Sequence, residues 1–215
     1  MKGLLIKDWK LLKNQMRFML ILFTILIVIS FLDNTNHISF MTSYLSFLFS
    51  NFVLSTLSYD SYDNGMLFLL SLPISRKIYV QEKYLFSLLL TFGSWLISLL
   101  LRLLIFPLQF SWMEISEICF ESLIYLIFVL LFLAYSIPLH LKFGNEKGRM
   151  LSFGFLGLLA FGIFTIVRID NWQSLFYMVN RISLKFVIII TTFLCIIFLG
   201  ISYLLSLWII EKKEY

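Results

Sequence analysis

The chain has 215 residues, of which 60% are hydrophobic and only 13% are charged. Soluble domains carry about 25% charged residues, so this composition excludes an ordinary soluble protein. Because a membrane span needs about 20 apolar residues, the length accommodates six spans and leaves no room for a separate soluble domain of usual size. We therefore predict an all-α, polytopic membrane protein with a single transmembrane domain over residues 1–215.

Residues 1–17 form a basic amphipathic segment. Its cations and its apolar residues recur every three or four positions on opposite faces: Lys7, Lys10, Lys13 and Arg17 on one, and Leu5, Trp9, Leu12 and Met16 on the other. This pattern predicts an interfacial helix that lies on the membrane surface. A secretory signal peptide also starts with a basic region, but no small-residue cleavage site follows Ser30, so we expect the segment to be retained.

Six apolar runs follow. They cover residues 18–32, 38–57, 84–106, 122–139, 151–167 and 186–210. Of the 17 Lys and Arg residues, 13 fall on the N-terminal side of the predicted membrane and three fall on the other. Since Lys and Arg are enriched in cytoplasmic loops, we expect both termini and residues 59–83 to be cytoplasmic.

Residues 59–83 place an apolar run, 66–72, between charged residues. Pro73 stops or kinks a helix because it lacks an N–H and clashes with the preceding turn. Ser75 is a good N-cap residue for a new helix that begins at Arg76. The segment therefore predicts a short helix, a sharp break and a second helix that enters the third span. Such a short helix can lie on the membrane, dock in a hydrophobic cleft of a soluble partner, or serve as a plain connector.

The same segment resembles a known loop. The run Ser71-Leu72-Pro73-Ile74-Ser75-Arg76, with Val80 and Lys83-Tyr84 after it and Tyr59-Asp60 and Asn64-Gly65 before it, is similar to the cytoplasmic loop of type 2 ATP-binding cassette permeases of the short, six-span kind. In that family the loop contains the coupling helix, which sits in a groove of the ATPase subunit. An interfacial helix at the N-terminus is also typical of the family.

The resemblance implies partners and a docking site. The partners are an ATPase subunit, a second permease that is identical or different, and the lipid bilayer. The residues it assigns to ATPase docking are Met66, Leu67, Leu69, Leu70, Ser71, Leu72, Pro73, Ile74, Ser75 and Arg76.

The chain lacks the motifs GxxxxGK[ST], GxGxxG, HExxH and GxSxG, which mark nucleotide, zinc and serine-hydrolase sites. We therefore expect no enzyme activity and no cofactor or metal bound by this chain, with ATP and Mg held by the partner ATPase. Because the basic residues lie at span ends, we expect no nucleic-acid partner.

Arg102 lies in the outer part of the third span, where a charge is a functional candidate by default. It can also snorkel to the outer interface or form a structural ion pair. The spacing of Glu114, Glu117 and Glu121 places them on one face of a helix. These carboxylates could pair with Arg102, line an outer vestibule of a translocation path, or form a solvated face.

Residues 168–185 mix aromatic and polar side chains. This composition predicts either a short outer interfacial helix or an ordinary aromatic belt.

The predicted function is that of a permease subunit that moves a hydrophobic or amphipathic cargo outward, powered by a separate ATPase. Its small size and its aromatic spans are similar to those of bacterial exporters of amphipathic peptides of the phenol-soluble modulin type. The alternative is a non-transporting membrane partner, such as an immunity protein or a sensor anchor. The expected location is the plasma membrane of a bacterium, with multiple spans.

Overall fold

A computed structural model describes residues 1–32, 37–62, 65–71, 73–105, 112–167 and 184–213. Every regular element in these ranges is an α-helix, which confirms the predicted all-α class. The helices are α1 (Lys2–Leu32), α2 (His37–Ser61), α3 (Gly65–Ser71), α4 (Arg76–Ile105), α5 (Trp112–Phe143), α6 (Asn145–Val167) and α7 (Leu184–Lys212). The predicted outer segment 168–185 lies outside the described residues except for the start of α7.

Three helices of the described part are long and apolar enough to cross a membrane. The stretches are Arg76–Arg102, Ile118–Phe143 and Phe186–Lys212, and they correspond to the third, fourth and sixth predicted spans. The described part of the chain therefore contains helices with the length and the apolar composition that a membrane protein with several spans needs. Six spans with two cytoplasmic termini stay a prediction.

The helices extend further than the apolar runs indicate. The predicted interfacial helix 1–17 and the first predicted span belong to one continuous helix, α1, because no Pro or Gly follows Gly3 before its end. On its buried face lie Leu4, Asp8 and Leu12, whereas Trp9 is exposed. The inward face thus differs from the apolar face that the sequence predicts.

The core is centred on α5, which packs against α2, α4, α6 and α7. Four of its buried apolar residues lie four positions apart and form a stripe along one face: Val129, Leu133, Ile137 and Leu141. Val53 and Leu57 of α2, Val80 of α4 and Ile210 of α7 pack into the same cluster. Side chains four residues apart share a helix face, so this stripe holds the other helices around α5.

Pro138 lies inside α5, where it removes the backbone N–H that would bind the carbonyl of Ala134. The helix continues past it, and Ser202 Oγ of α7 donates a hydrogen bond to Ala134 O in place of the missing N–H. A hydroxyl has one proton to give, so Tyr84 OH of α4 donates to Ser202 Oγ at 2.6 Å. Ser206 Oγ then donates to Tyr84 OH at 2.8 Å. A buried chain of polar groups therefore joins α4, α5 and α7.

The connection between α5 and α6 is one residue long, although the fourth and fifth apolar runs of the sequence are separated by residues 140–150. The chain reverses its direction at Gly144, whose φ is 78°. Residues other than glycine rarely adopt this backbone conformation. Gly148 follows on α6, where an added Cβ would lie 2.9 Å from His140 Cα. The two glycines therefore allow the two helices to touch at their connected ends.

We expect Ser202→Ala to lower the free energy of unfolding by about 1–3 kcal/mol, because the buried carbonyl of Ala134 loses its donor. Pro138→Ala restores the backbone N–H, so Ser202→Ala should cost less in that background. The measurement is unfolding of the purified protein by SDS for the four members of this double-mutant cycle. Equal costs in both backgrounds would show that Ser202 acts independently of Pro138.

Candidate functional site

The short helix α3 follows α2 and carries one apolar side inward and another outward. Met66 is buried at 8% exposure and Leu69 packs partly on the core, whereas Leu67 and Phe68 are exposed by 46% and 69%. Because α3 has only seven residues, the packing of Met66 and Leu69 on the core sets the direction of the exposed pair, Leu67 and Phe68. The side chains of Leu70 and Leu72 lie outside the described residues.

The start of α4 confirms the predicted break after α3. Ser75 is the N-cap residue, since its Oγ accepts a hydrogen bond from the backbone N–H of Ile78 at 3.3 Å. Arg76 Nη1 donates to the carbonyls of Ile210 and Glu211 at 3.2 and 2.8 Å, and so it satisfies the last turn of α7. Pro73, Ser71 and Ser75 are exposed and Ile74 is half-buried.

A cluster of buried charges lies beneath this break, and we call it the α1–α2–α4 ion cluster (Lys7, Asp8, Asp60, Glu82 and Lys83). Lys83 at its centre is fully buried. Its Nζ contacts Asp8 Oδ2, lies 2.7 Å from Asp60 Oδ2 and donates to Thr56 Oγ1 at 3.3 Å. One ammonium group therefore holds together carboxylates from α1 and α2.

Further contacts close the cluster around Asp60. Lys7 Nζ contacts Asp60 Oδ1 and lies 3.2 Å from Asp8 Oδ1. The hydroxyl of Tyr79 donates to Asp60 Oδ2 at 3.1 Å. Asp60 thus binds two ammonium groups and one phenol, which offsets the cost of burying its charge.

Glu82 adds a third carboxylate. Its side chain is fully buried, and its Oε2 lies 3.8 Å from Lys83 Nζ. Across the described residues, no group of His, Cys, Asp and Glu is arranged to hold a metal ion. In the ion cluster the central position is occupied by the ammonium group of Lys83.

Comparison with known families decides what kind of protein carries this arrangement. A family model described as ABC-2 family transporter protein matches residues 3–211. The chain belongs to the ABC-2 transporter family. No curated protein and no solved structure matches it.

Membership has three direct consequences. An ABC-2 family protein of this kind is the transmembrane permease component of an ATP-binding cassette transporter and is not itself the ATPase. It implies an ATPase subunit as a partner and the membrane as a location. The predicted permease identity is thereby confirmed at this level.

The sequence did not single out every residue of this candidate site of the ABC-2 permease. Asp8 and Glu82 were not predicted as site residues, and neither was Phe68, an exposed apolar side chain of α3. Asp8 carries a usable signal, since it is four residues from both Leu4 and Leu12 and interrupts their apolar stripe with a charge.

The structure of the ABC-2 permease also brings together part of the predicted outer site. Arg102 Nη1 and Nη2 both lie 3.4 Å from Glu121 Oε2, so the predicted ion pair forms between α4 and α5. The side chains of Glu114 and Glu117 lie outside the described residues. A role of these four residues in a vestibule stays a prediction.

We expect Lys83→Met to lower the free energy of unfolding by about 3–5 kcal/mol, since it leaves buried carboxylates without their central cation. The matched control is Lys77→Met, because Lys77 is exposed and lies 3.9 Å from the exposed Glu211. Such surface pairs contribute about 0–1 kcal/mol. Thermal unfolding of the purified variants in detergent measures both effects, and equal losses would contradict a central role for Lys83.

Proposed function

We propose that the chain is the permease subunit of an ATP-driven exporter and that α3 is the helix that contacts its ATPase. The observation that carries this proposal is the outward apolar face of α3, Leu67 and Phe68, at a sharp break directly above the ion cluster. An amphipathic helix that presents apolar anchors at a groove is a common mode of protein recognition.

The ion cluster supports a mechanical role for α3. Asp60 lies near the end of α2, shortly before α3, and Tyr79 and Lys83 lie shortly after it on α4. A force on α3 therefore reaches α1, α2 and α4 through contacts that are buried and charged. In the proposed cycle, ATP closes the ATPase subunits and α3 moves with them, so that the helices change between two packed states.

The expected result for Leu67→Ser with Phe68→Ser is loss of binding to the ATPase while the permease still folds. Both side chains are exposed in the chain alone, so their removal costs little stability, whereas an interface loses its apolar anchors. The permease would be co-expressed with the ABC ATPase encoded beside it and purified through a tag on the ATPase.

The matched control is Met150→Ser, because Met150 is 77% exposed and lies on a different helix, α6. Retention of the ATPase by the double variant would show that α3 is not the docking helix. If the unaltered permease binds no ATPase, the exporter proposal itself fails, and the non-transporting membrane partner takes its place.

A cavity between α1, α2 and α6 supports an amphipathic cargo. It has a volume of about 640 Å³ and lies at the end of the bundle near α3, since Tyr59 and Asn145 line it. Phe47, Leu48 and Phe153 give it apolar walls, while other lining residues are polar or charged: Gln15, Asn51, Ser55, Ser58 and Arg149. A pocket that combines apolar walls with polar and charged groups suits a molecule with the same mixture.

We expect Leu48→Trp to lower export of an amphipathic peptide severalfold, because the larger ring fills the cavity. Co-purification of the ATPase should stay unchanged. The measurement is survival of cells that express the permease and its ATPase and are challenged with a membrane-active amphipathic peptide. Leu89→Trp on the exposed face of α4 is the control, and equal survival of both variants would count against the cavity as a cargo site.

The remaining parts of the proposal rest on the family and on the sequence. The exporter works with a second permease, identical or different, in a bacterial plasma membrane, and ATP and Mg bind to the ATPase. The basic span ends support cytoplasmic termini and place α3 on the side of the ATPase.

A further inference from the structure

The outer surfaces of α5 and α7 enclose a second cavity, which we call the α5–α7 groove. It has a volume of about 310 Å³ and is lined almost wholly by apolar side chains. The floor contains Ala134 and Pro138, which are short and four residues apart on α5. Leu205 and Trp208 of α7 form the opposite wall. The short side chains leave a trough that the neighbouring helix does not fill.

The groove opens to the side of the bundle. Phe198, Ile201, Leu205 and Trp208 on its α7 wall are each exposed by about two fifths to one half. In a helix that crosses a membrane, such a surface faces hydrocarbon chains. The trough therefore opens toward the lipid, and an acyl chain would enter it from this side of the bundle.

Two cations mark one end of the groove. Lys142 lines it at the end of α5, with Nζ 5.1 Å from the ring centroid of Phe143. Lys212 follows Trp208 by one turn, and its Nζ lies 4.2 Å from the centroid of that ring. Both side chains are exposed. The neighbouring carboxylate, Glu211, lies 3.9 Å from Lys77 instead.

This end of the groove is the same end of the bundle as the ion cluster. Arg76, at the start of α4, donates to the carbonyls of Ile210 and Glu211, and Lys213 donates to the carbonyl of Leu141 at 2.9 Å. A Trp ring beside Lys side chains is typical of the level of lipid headgroups. Along the groove, the two cations therefore lie where a lipid headgroup would lie, and the apolar trough lies where its acyl chain would lie.

We propose that the α5–α7 groove binds an anionic phospholipid, with an acyl chain in the trough and the phosphate-bearing headgroup between Lys142 and Lys212. Charge complementarity selects this occupant over a zwitterionic lipid, because each nearby Lys stabilises an anionic lipid by electrostatic attraction. The site is separate from α3 and from the cavity between α1, α2 and α6, so it does not depend on the proposed docking or cargo.

Native mass spectrometry of the full chain tests this proposal. The protein is released from detergent after addition of phosphatidylglycerol or of phosphatidylcholine with acyl chains of equal length. We expect phosphatidylglycerol to bind more tightly. Lys142→Gln with Lys212→Gln should weaken phosphatidylglycerol about tenfold or more and leave phosphatidylcholine unchanged. Leu205→Trp, a change at an exposed position that fills the trough, should weaken both lipids.

The matched control is Lys10→Gln with Lys13→Gln, which removes the same charge from exposed positions on α1 and should keep the preference. Equal binding of the two lipids to the unaltered chain would overturn the proposal. So would equal losses in the two double variants, since the effect would then be one of net charge. Absence of any bound lipid because a second copy of the chain covers the groove would overturn it as well.

A second measurement locates the lipid. Phosphatidylglycerol with brominated acyl chains should quench part of the tryptophan fluorescence, and Trp208→Phe should remove that part, because Trp208 lines the trough. Quenching that is unchanged in Trp208→Phe would place the lipid elsewhere and contradict the site.

Discussion

The ammonium group of Lys83 is fully buried, and the end of the bundle that carries α3 is organised around it. A buried charge without partners is very costly, so Asp8 and Asp60 must come to it from two other helices. This requirement fixes where α1 begins relative to α2 and where α4 leaves the break after α3. A pair of apolar residues would join the helices as tightly, but it would not specify one register of their ends so narrowly.

The candidate docking helix depends on that arrangement. With only seven residues, α3 is too short to be stable alone, and its orientation comes from the buried side of Met66 and from the anchored helices on both sides. The consequence is that its exposed pair, Leu67 and Phe68, is presented on a fixed base. Surfaces that are ordered before binding lose less entropy when a partner arrives.

Local features of this chain could be predicted from its sequence, and contacts between distant residues could not. The all-α class, the three helices suited to cross a membrane and the N-cap at Ser75 follow from composition and from neighbouring residues. The pairing of Asp8 with Lys83 joins residues 75 positions apart, and no local pattern encodes it. Phe68 was not among the predicted docking residues, because the sequence of an apolar run does not show which of its side chains pack on the core and which are exposed. At Pro138, the carbonyl of Ala134 takes its hydrogen bond from Ser202, a residue of another helix.

The one-residue connection at Gly144 bears on how the bundle moves. Because a single residue connects α5 and α6, and because Gly148 packs against the backbone of His140, the connected ends of the two helices cannot separate without breaking this contact. A rearrangement that shifts α6 at this end therefore carries with it the connected end of α5, which is the central helix of the core.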